Sequence, residues 1–158
     1  MVKLRSILFL FLTFFAISCR GSLLDPNQQE LREAFENSRE VLAEARISLN
    51  TSHLSDVFTR ENLPKITKAI DDLKVAEDDI FRAEEIEVAW VKVVSVNPPE
   101  AIIEVKYFYR PYTFNRKTGN ITYDSEPHRY WRIVKYRMLK ENNIWKVDEG
   151  LEFVDWSG

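Results

Sequence analysis

Apolar residues recur with helical spacing along the first half of this chain and alternate with polar ones along the second. Leu31, Ala34, Phe35, Val41, Leu42, Ala45 and Leu49 fall on one stripe of 3.6-residue period and predict a helix over about 26–49. Asp25-Pro26 suits its start: an acid that can cap, then a proline at the position where a missing N–H is tolerated. The stretch 52–59 predicts a short helix burying Leu54, Val57 and Phe58. "ENLPKITKAIDDLKVAEDDIFRAE" predicts a longer one, with Ile66, Ala69, Ile70, Leu73 and Ala76 inward and Pro64 near its first turn.

From Ile86 the period drops to two. "IEVAWVKVVSV" predicts a strand and "NPPE" a turn. In "AIIEVKYFYRPYTFN", Ile103, Val105, Tyr107 and Tyr109 alternate with Glu104, Lys106 and Arg110, which places Glu104 outward. "RKTGN" is a turn, and a looser stretch leads into "HRYWRIVKYRMLK". There Tyr130, Arg132, Val134 and Met138 share one face; Trp131, Ile133, Lys135, Arg137 and Leu139 share the other. "ENN" turns the chain into "IWKVDEGLEFVDW". Helices followed by an antiparallel meander make an α+β domain. Strands this long must twist and curl, so N-terminal helices should pack on a curved antiparallel sheet of about four long strands. The expected shape is a cone, with any cavity at its mouth.

The first 25 residues follow neither pattern. Lys3 and Arg5 precede the uncharged run "SILFLFLTFFAIS", a charged n-region before an apolar h-region. Ile7 to Ile17 would make about 16 Å of helix, short of the roughly 30 Å bilayer core. Cys19, the only cysteine of the chain, follows this run directly. The alternatives for it are lipidation, an ordinary signal peptide carrying a chance cysteine, and a core helix. A lone cysteine excludes an intrachain disulfide and a multi-cysteine zinc site. "Ala16-Ile17-Ser18-Cys19" resembles the lipobox of bacterial lipoproteins, with Ala16 where leucine is usual. The resemblance implies cleavage after Ser18 and diacylation of Cys19. Two acyl chains are enough for stable anchoring. The expected organisation is a lipoprotein signal peptide over 1–18, a tether over 19–25 and one α+β domain over 26–158. The expected location is the cell envelope, lipid-anchored and facing outside the cytoplasm.

Charge sharpens the division between the halves. Residues 25–89 carry 16 acidic and 8 basic side chains, a net of −8; residues 101–140 carry 9 basic and 3 acidic, a net of +6. The whole chain is at −3 and lacks a nucleic-acid-binding motif, so no nucleic-acid partner is expected. The basic strands either form a recognition surface through "KYFYRPYTFNRK" or pair with Glu104 and the acidic helices.

Catalytic patterns are absent from the sequence. There is no nucleophile elbow, phosphate loop or dinucleotide fingerprint. His53 and His128 lie in different halves without companion ligands, and Glu77-Asp78-Asp79 lacks calcium-loop spacing, so no metal and no cofactor are expected.

The helix-then-sheet order resembles the nuclear transport factor 2-like fold. More narrowly, "LREAFENSREVLAEA", "LSDVFTRENLPKITKAI", "VKVVSVNPPEAIIEVKYFYR" and "YWRIVKYRMLKENNIWKVDEG" resemble the IMS domain of cyanobacterial and plastid division J-like proteins. The resemblance implies a binding or scaffolding module, though the chain lacks a J-like region. The expectation is a lipid-anchored domain that binds a protein partner or small ligand, the candidate surface or pocket residues being Tyr107, Tyr109, Arg110, Tyr112, His128, Tyr130 and Arg132. Some relatives of the fold are isomerases or dehydratases using Asp, His and Tyr in the cone, so such an enzyme is the alternative. For the tyrosines themselves, core packing is the competing role.

Overall fold

Tyrosines and aliphatics of one sheet face meet the apolar stripe of one long helix, and everything else is arranged around that contact. The computed structural model describes residues 26–75, 80–115 and 117–157. The predicted signal peptide, the tether, Cys19 and the Asp25 cap lie outside them. Helix α1 spans Pro26–Ser48, α2 Leu54–Val57 and α3 Leu63–Val75. On α1, Leu31, Phe35, Ser38, Leu42 and Ala45 are buried, which is the predicted stripe with one serine in it. Ser38 is satisfied within the helix, its hydroxyl donating to the Phe35 carbonyl at 2.6 Å. Leu49 ends α1 in the left-handed region (φ 59°). No helix of the described residues is long and apolar enough to cross a membrane.

Five strands follow: β1 (Ile80–Asn97), β2 (Glu100–Asn115), β3 (Ile121–Asp124), β4 (Tyr130–Glu141) and β5 (Ile144–Ser157). They form one antiparallel sheet in the order β1-β2-β4-β5, with β3 beside β2. The long strand β2 divides its second edge: residues 100–109 pair with β4, and 112–114 pair with β3. Extra residues at Ala89 and Val94 in β1, and at Asp148, Leu151 and Val154 in β5, interrupt the ladders as bulges. Bulges add twist and bend, which curls the sheet into a half-barrel. The fold is thus α+β and cone-like, as expected.

Three expectations need correction. The third helix stops at Val75, and Ile80 to Glu84, expected as its end, instead begin β1. Ala, Glu and Arg favour a helix there, but β2 offers a paired edge as far as Asn115, and pairing overrides propensity. Ala69 is exposed rather than inward; on α3 only Ile70 is fully buried. The looser stretch before β4 contains β3, too short to announce itself by alternation.

Helix α1 lies across the concave face and covers the β1 edge. Gln28 donates to the Val91 carbonyl at 2.6 Å and Arg32 to the Val88 carbonyl at 3.2 Å, so edge acceptors of β1 are used internally. At the other edge, Phe58 bridges Val147 and the Thr59 amide donates to the Val147 carbonyl. The bulge places Asp148 inward, 2% exposed, where it accepts from Thr59 Oγ1 at 2.6 Å and Arg137 Nε at 2.6 Å. That contact with Asp148 is the main reason the Arg137 guanidinium is held above its ordinary range.

Candidate functional site

The inner face of β2 carries Ala101, Ile103, Val105, Tyr107 and Tyr109, all buried, and β4 answers with Val134, Tyr136 and Met138. At the Ala101 and Ile103 end this face is filled by the helices. Toward Tyr107 it opens into a cavity of about 810 Å³. The C-terminal half of α1 forms one wall, β1 from Glu84 to Val88 another, and the ends of β2 and β3 the rim. That volume lies within the roughly 300–1,000 Å³ of small-molecule sites. Leu42, Ile47, Ile86, Val88, Phe114 and Ile121 supply apolar lining.

The polar lining mixes four arginines, three glutamates and three tyrosines, among which Arg39, Tyr136, Tyr107 and Arg132 act on one another. Arg39 donates through one terminal nitrogen to the Tyr136 hydroxyl at 2.7 Å, and its guanidinium carbon sits 5.0 Å from the Phe35 ring centre. Its buried Nε–H has no hydrogen bond among the described residues. Arg132 lies over the Tyr109 ring with its guanidinium carbon 4.0 Å from the centroid. Burial lowers the Arg132 pKa, but the Tyr109 hydroxyl, the charge of Glu84 and the Tyr107 hydroxyl more than offset it, and the net shift is upward. Burial pushes the Tyr136 phenol well above the tyrosine range; Arg39 opposes this and Tyr107 adds to it. The result is a row, Arg39–Tyr136–Tyr107–Arg132, in which phenols and guanidinium ions influence one another. No described carboxylate forms an ion pair with Arg132 or with Arg39.

Of the residues singled out from sequence, the inner face collects Tyr107, Tyr109, Tyr130 and Arg132. Tyr109 stacks on Tyr130 at 5.5 Å and on Arg132. Arg110 and Tyr112 also border the cavity, although they have the opposite parity on β2. The burial alternation of β2 ends at Arg110, where Pro111 follows and β3 replaces β4 as neighbour. His128 does not border this cavity, but it shares a smaller pocket of about 130 Å³ with Tyr109 and Arg110. It projects on the outer face, stacked on Phe108 at 4.7 Å and bound to Glu87 at 2.7 Å. Its left-handed backbone (φ 60°) turns the chain into β4 and fixes this placement.

Most of the basic strand residues pair as the cross-strand alternative expected. Lys92 meets Glu104 at 4.0 Å, Arg110 meets Asp124 at 3.3 Å and Lys135 meets Glu152. Glu104 points outward as predicted. Arg132 and Lys106 form no such pair among the described residues; Lys106 instead lies 4.7 Å from the Trp131 ring centre.

Sequence reasoning missed Arg39, Glu84 and Tyr136. Tyr136 shares the parity of Arg132 and Val134, so alternation could have found it. Arg39 follows Phe35 by one helical turn on the buried side of α1, a charge in a stripe position. Glu84 was unreadable because its stretch scans as helix.

Among the described residues, no three His, Cys, Asp or Glu side chains converge on a metal-sized site. The tryptophans do not plug the cavity; Trp145 is buried in the core, with Lys140 5.3 Å from its ring centre.

No protein-family model and no curated protein sequence matches the chain. Solved structures do. The intermembrane space region of chloroplast protein ARC6 matches with a TM-score of 0.58 at 13% identity, over 84% of this chain and 98% of that one. A candidate aromatic ring hydroxylase from Novosphingobium aromaticivorans matches with a TM-score of 0.50 at 13% identity, over 82% and 94%. An uncharacterized protein with a cystatin-like fold from Caulobacter vibrioides matches at 0.43 and 10% identity, over 80% and 91%. The first two likenesses establish a shared fold. The resemblance to the IMS domain therefore holds at the level of architecture.

Proposed function

We propose that this protein is a lipid-anchored binding module whose cavity, between α1 and the concave sheet face, holds a small amphipathic ligand. One observation carries the reading: an open cavity of about 810 Å³ combining aliphatic walls with a polar lining of arginines, glutamates and tyrosines. That lining offers no nucleophile paired with a base, which suits binding better than turnover. The "Ala16-Ile17-Ser18-Cys19" segment supports acylation of Cys19 and a working position at a membrane surface outside the cytoplasm. Membrane lipid is then a standing partner.

Two tests separate the parts of this reading. Radiolabelled palmitate should enter the wild type and not Cys19→Ser; equal labelling of both removes the anchor. Val88→Trp, which fills the cavity, should abolish capture of small molecules seen by native mass spectrometry of the extracted protein. If Val88→Trp retains them, the cavity is not the site.

An isomerase or dehydratase is the second reading, and one observation favours it: Glu84 lines the same cavity as Tyr107 and Tyr136. A carboxylate beside phenols is the material of proton-transfer catalysis. The enzyme reading predicts that Glu84→Gln preserves ligand capture and stops solvent deuterium exchange into the bound ligand. Absence of such exchange in the wild type contradicts it.

A further inference from the structure

We infer that the ligand of this cavity is a carboxylate with an apolar body, its headgroup held between Arg39 and Arg132. The inference rests on the cavity-binding reading above and names the class of molecule.

Three observations converge. First, Arg132 lies in the cavity wall 4.0 Å over the Tyr109 ring and feels the Tyr109 and Tyr107 hydroxyls and the charge of Glu84, but it forms no ion pair with a described carboxylate. A guanidinium fixed flat on an aromatic ring keeps its N–H edge available for a planar acceptor, and the arginine fork matches a carboxylate in two parallel hydrogen bonds. Other cations of the sheet do have acids: Lys135 has Glu152 and Arg137 has Asp148. Second, Arg39 keeps a buried Nε–H with no hydrogen bond while Tyr136 takes only one terminal nitrogen. Buried donors without acceptors are rare and usually mark a missing partner. Third, the hydroxyls of Tyr107 and Tyr136 line the same cavity as the two arginines and can add neutral hydrogen bonds to a bound headgroup.

Four arginines against three glutamates leave the lining net positive, and the unsatisfied Arg39 donor asks for an acceptor, so the site favours a negatively charged headgroup. Glu84 sets a limit on that charge. Its carboxylate already acts on Arg132, so a singly charged headgroup fits better than a phosphate dianion. Beyond the headgroup, Leu42, Ile86 and Val88 offer apolar surface to an alkyl chain or a flat ring. A fatty acid released from the membrane and an aromatic carboxylate share this chemistry.

The test uses the full acylated chain in lipid nanodiscs, with empty nanodiscs subtracted, titrated calorimetrically with octanoate, naphthoate, octanol and octyltrimethylammonium. A carboxylate should bind at least roughly 10-fold tighter than octanol, the worth of one charge-assisted hydrogen bond, and the ammonium should not bind. Arg132→Gln should weaken the carboxylate roughly 10- to 100-fold, leave octanol unchanged, and be partly rescued by Arg132→Lys. Should Arg132→Gln fail to fold, Tyr136→Phe and Arg39→Gln read the same selective loss. Binding of octanoate alone points to an acyl source and of naphthoate alone to an aromatic one; either supports the inference. Equal binding of octanol and octanoate, unchanged in Arg132→Gln, overturns the headgroup assignment while the cavity reading stands. Octanoate binding that survives Val88→Trp overturns the cavity reading itself.

Discussion

Replacing Arg137 by methionine should unfasten the β4–β5 edge from the helical layer. Asp148 is the inserted residue of a bulge, so its side chain points into the core, where it is 2% exposed. Three donors meet it: Thr59 Oγ1 at 2.6 Å, Arg137 Nε at 2.6 Å and an Arg137 terminal nitrogen at 2.5 Å. Methionine keeps the stem but leaves the carboxylate buried with the threonine alone. Removing one partner of a buried pair costs about 3–5 kcal/mol. The Arg137 side chain is 30% exposed, so water can reach part of the vacated space, and the low end, about 3 kcal/mol, is expected. Thr59→Val removes the hydrogen bond to this charged acceptor, worth about 2 kcal/mol, together with the one its hydroxyl accepts from the Asn62 amide. Both substitutions act on the same carboxylate, so their double mutant should depart from additivity by more than about 0.5 kcal/mol. Urea unfolding followed by tryptophan fluorescence reads these values, with the slope unchanged if only the native contact is lost. A cost below about 1 kcal/mol for Arg137→Met, or strict additivity with Thr59→Val, would refute the argument that Asp148 depends on this pairing.

Tyr136 gives a pH signature. Its phenol is raised by burial, whereas an unfolded tyrosine ionises near pH 10. Above that pH the unfolded chain sheds a proton that the native one keeps, so stability is full below pH 10 and falls as pH rises toward the native pKa. From pH 10 to 11 the wild type should lose about 1 kcal/mol more than Tyr136→Phe in urea midpoints; parallel losses contradict the burial argument. In the β4–β5 hairpin, Asn142 and Asn143 both have left-handed backbones (φ 51° and 67°). Asn143→Gly should therefore raise stability by up to about 1 kcal/mol in the same assay, and a loss would show that the asparagine does more than turn the chain. The exposed His128–Glu87 pair should matter little: Glu87→Gln is expected to change stability by less than about 1 kcal/mol.

The architecture was readable because two periods switch once, at Ile86, and because α1 carries a stripe from Leu31 to Ala45 broken only by Ser38. Alternation likewise gave the faces of Tyr107, Tyr109, Tyr130 and Arg132. It failed where the chain obeys a neighbour rather than its own pattern. Ile80 to Glu84 scan as helix and pair as strand because β2 is long enough to recruit them. His128 follows a left-handed turn that no periodicity encodes. Asp148 reads as one more polar residue of a strand, yet the bulge sends it into the core. The cavity was legible only in outline. Its aromatic residues stood out, whereas Arg39 and Glu84 belong to it through the curl of the sheet against α1, a long-range property.

The central claim is that the space between α1 and the concave face receives a ligand, and methyl-labelled NMR tests it directly. With isoleucine, leucine and valine methyls assigned, octanoate titrated into the full chain should shift Leu42, Ile86 and Val88 in a saturable manner, and leave Ile102 on the outer face unmoved. Saturable shifts confined to Leu151 and Val154, which are exposed on β5, would contradict the account, as would no saturable shift at all.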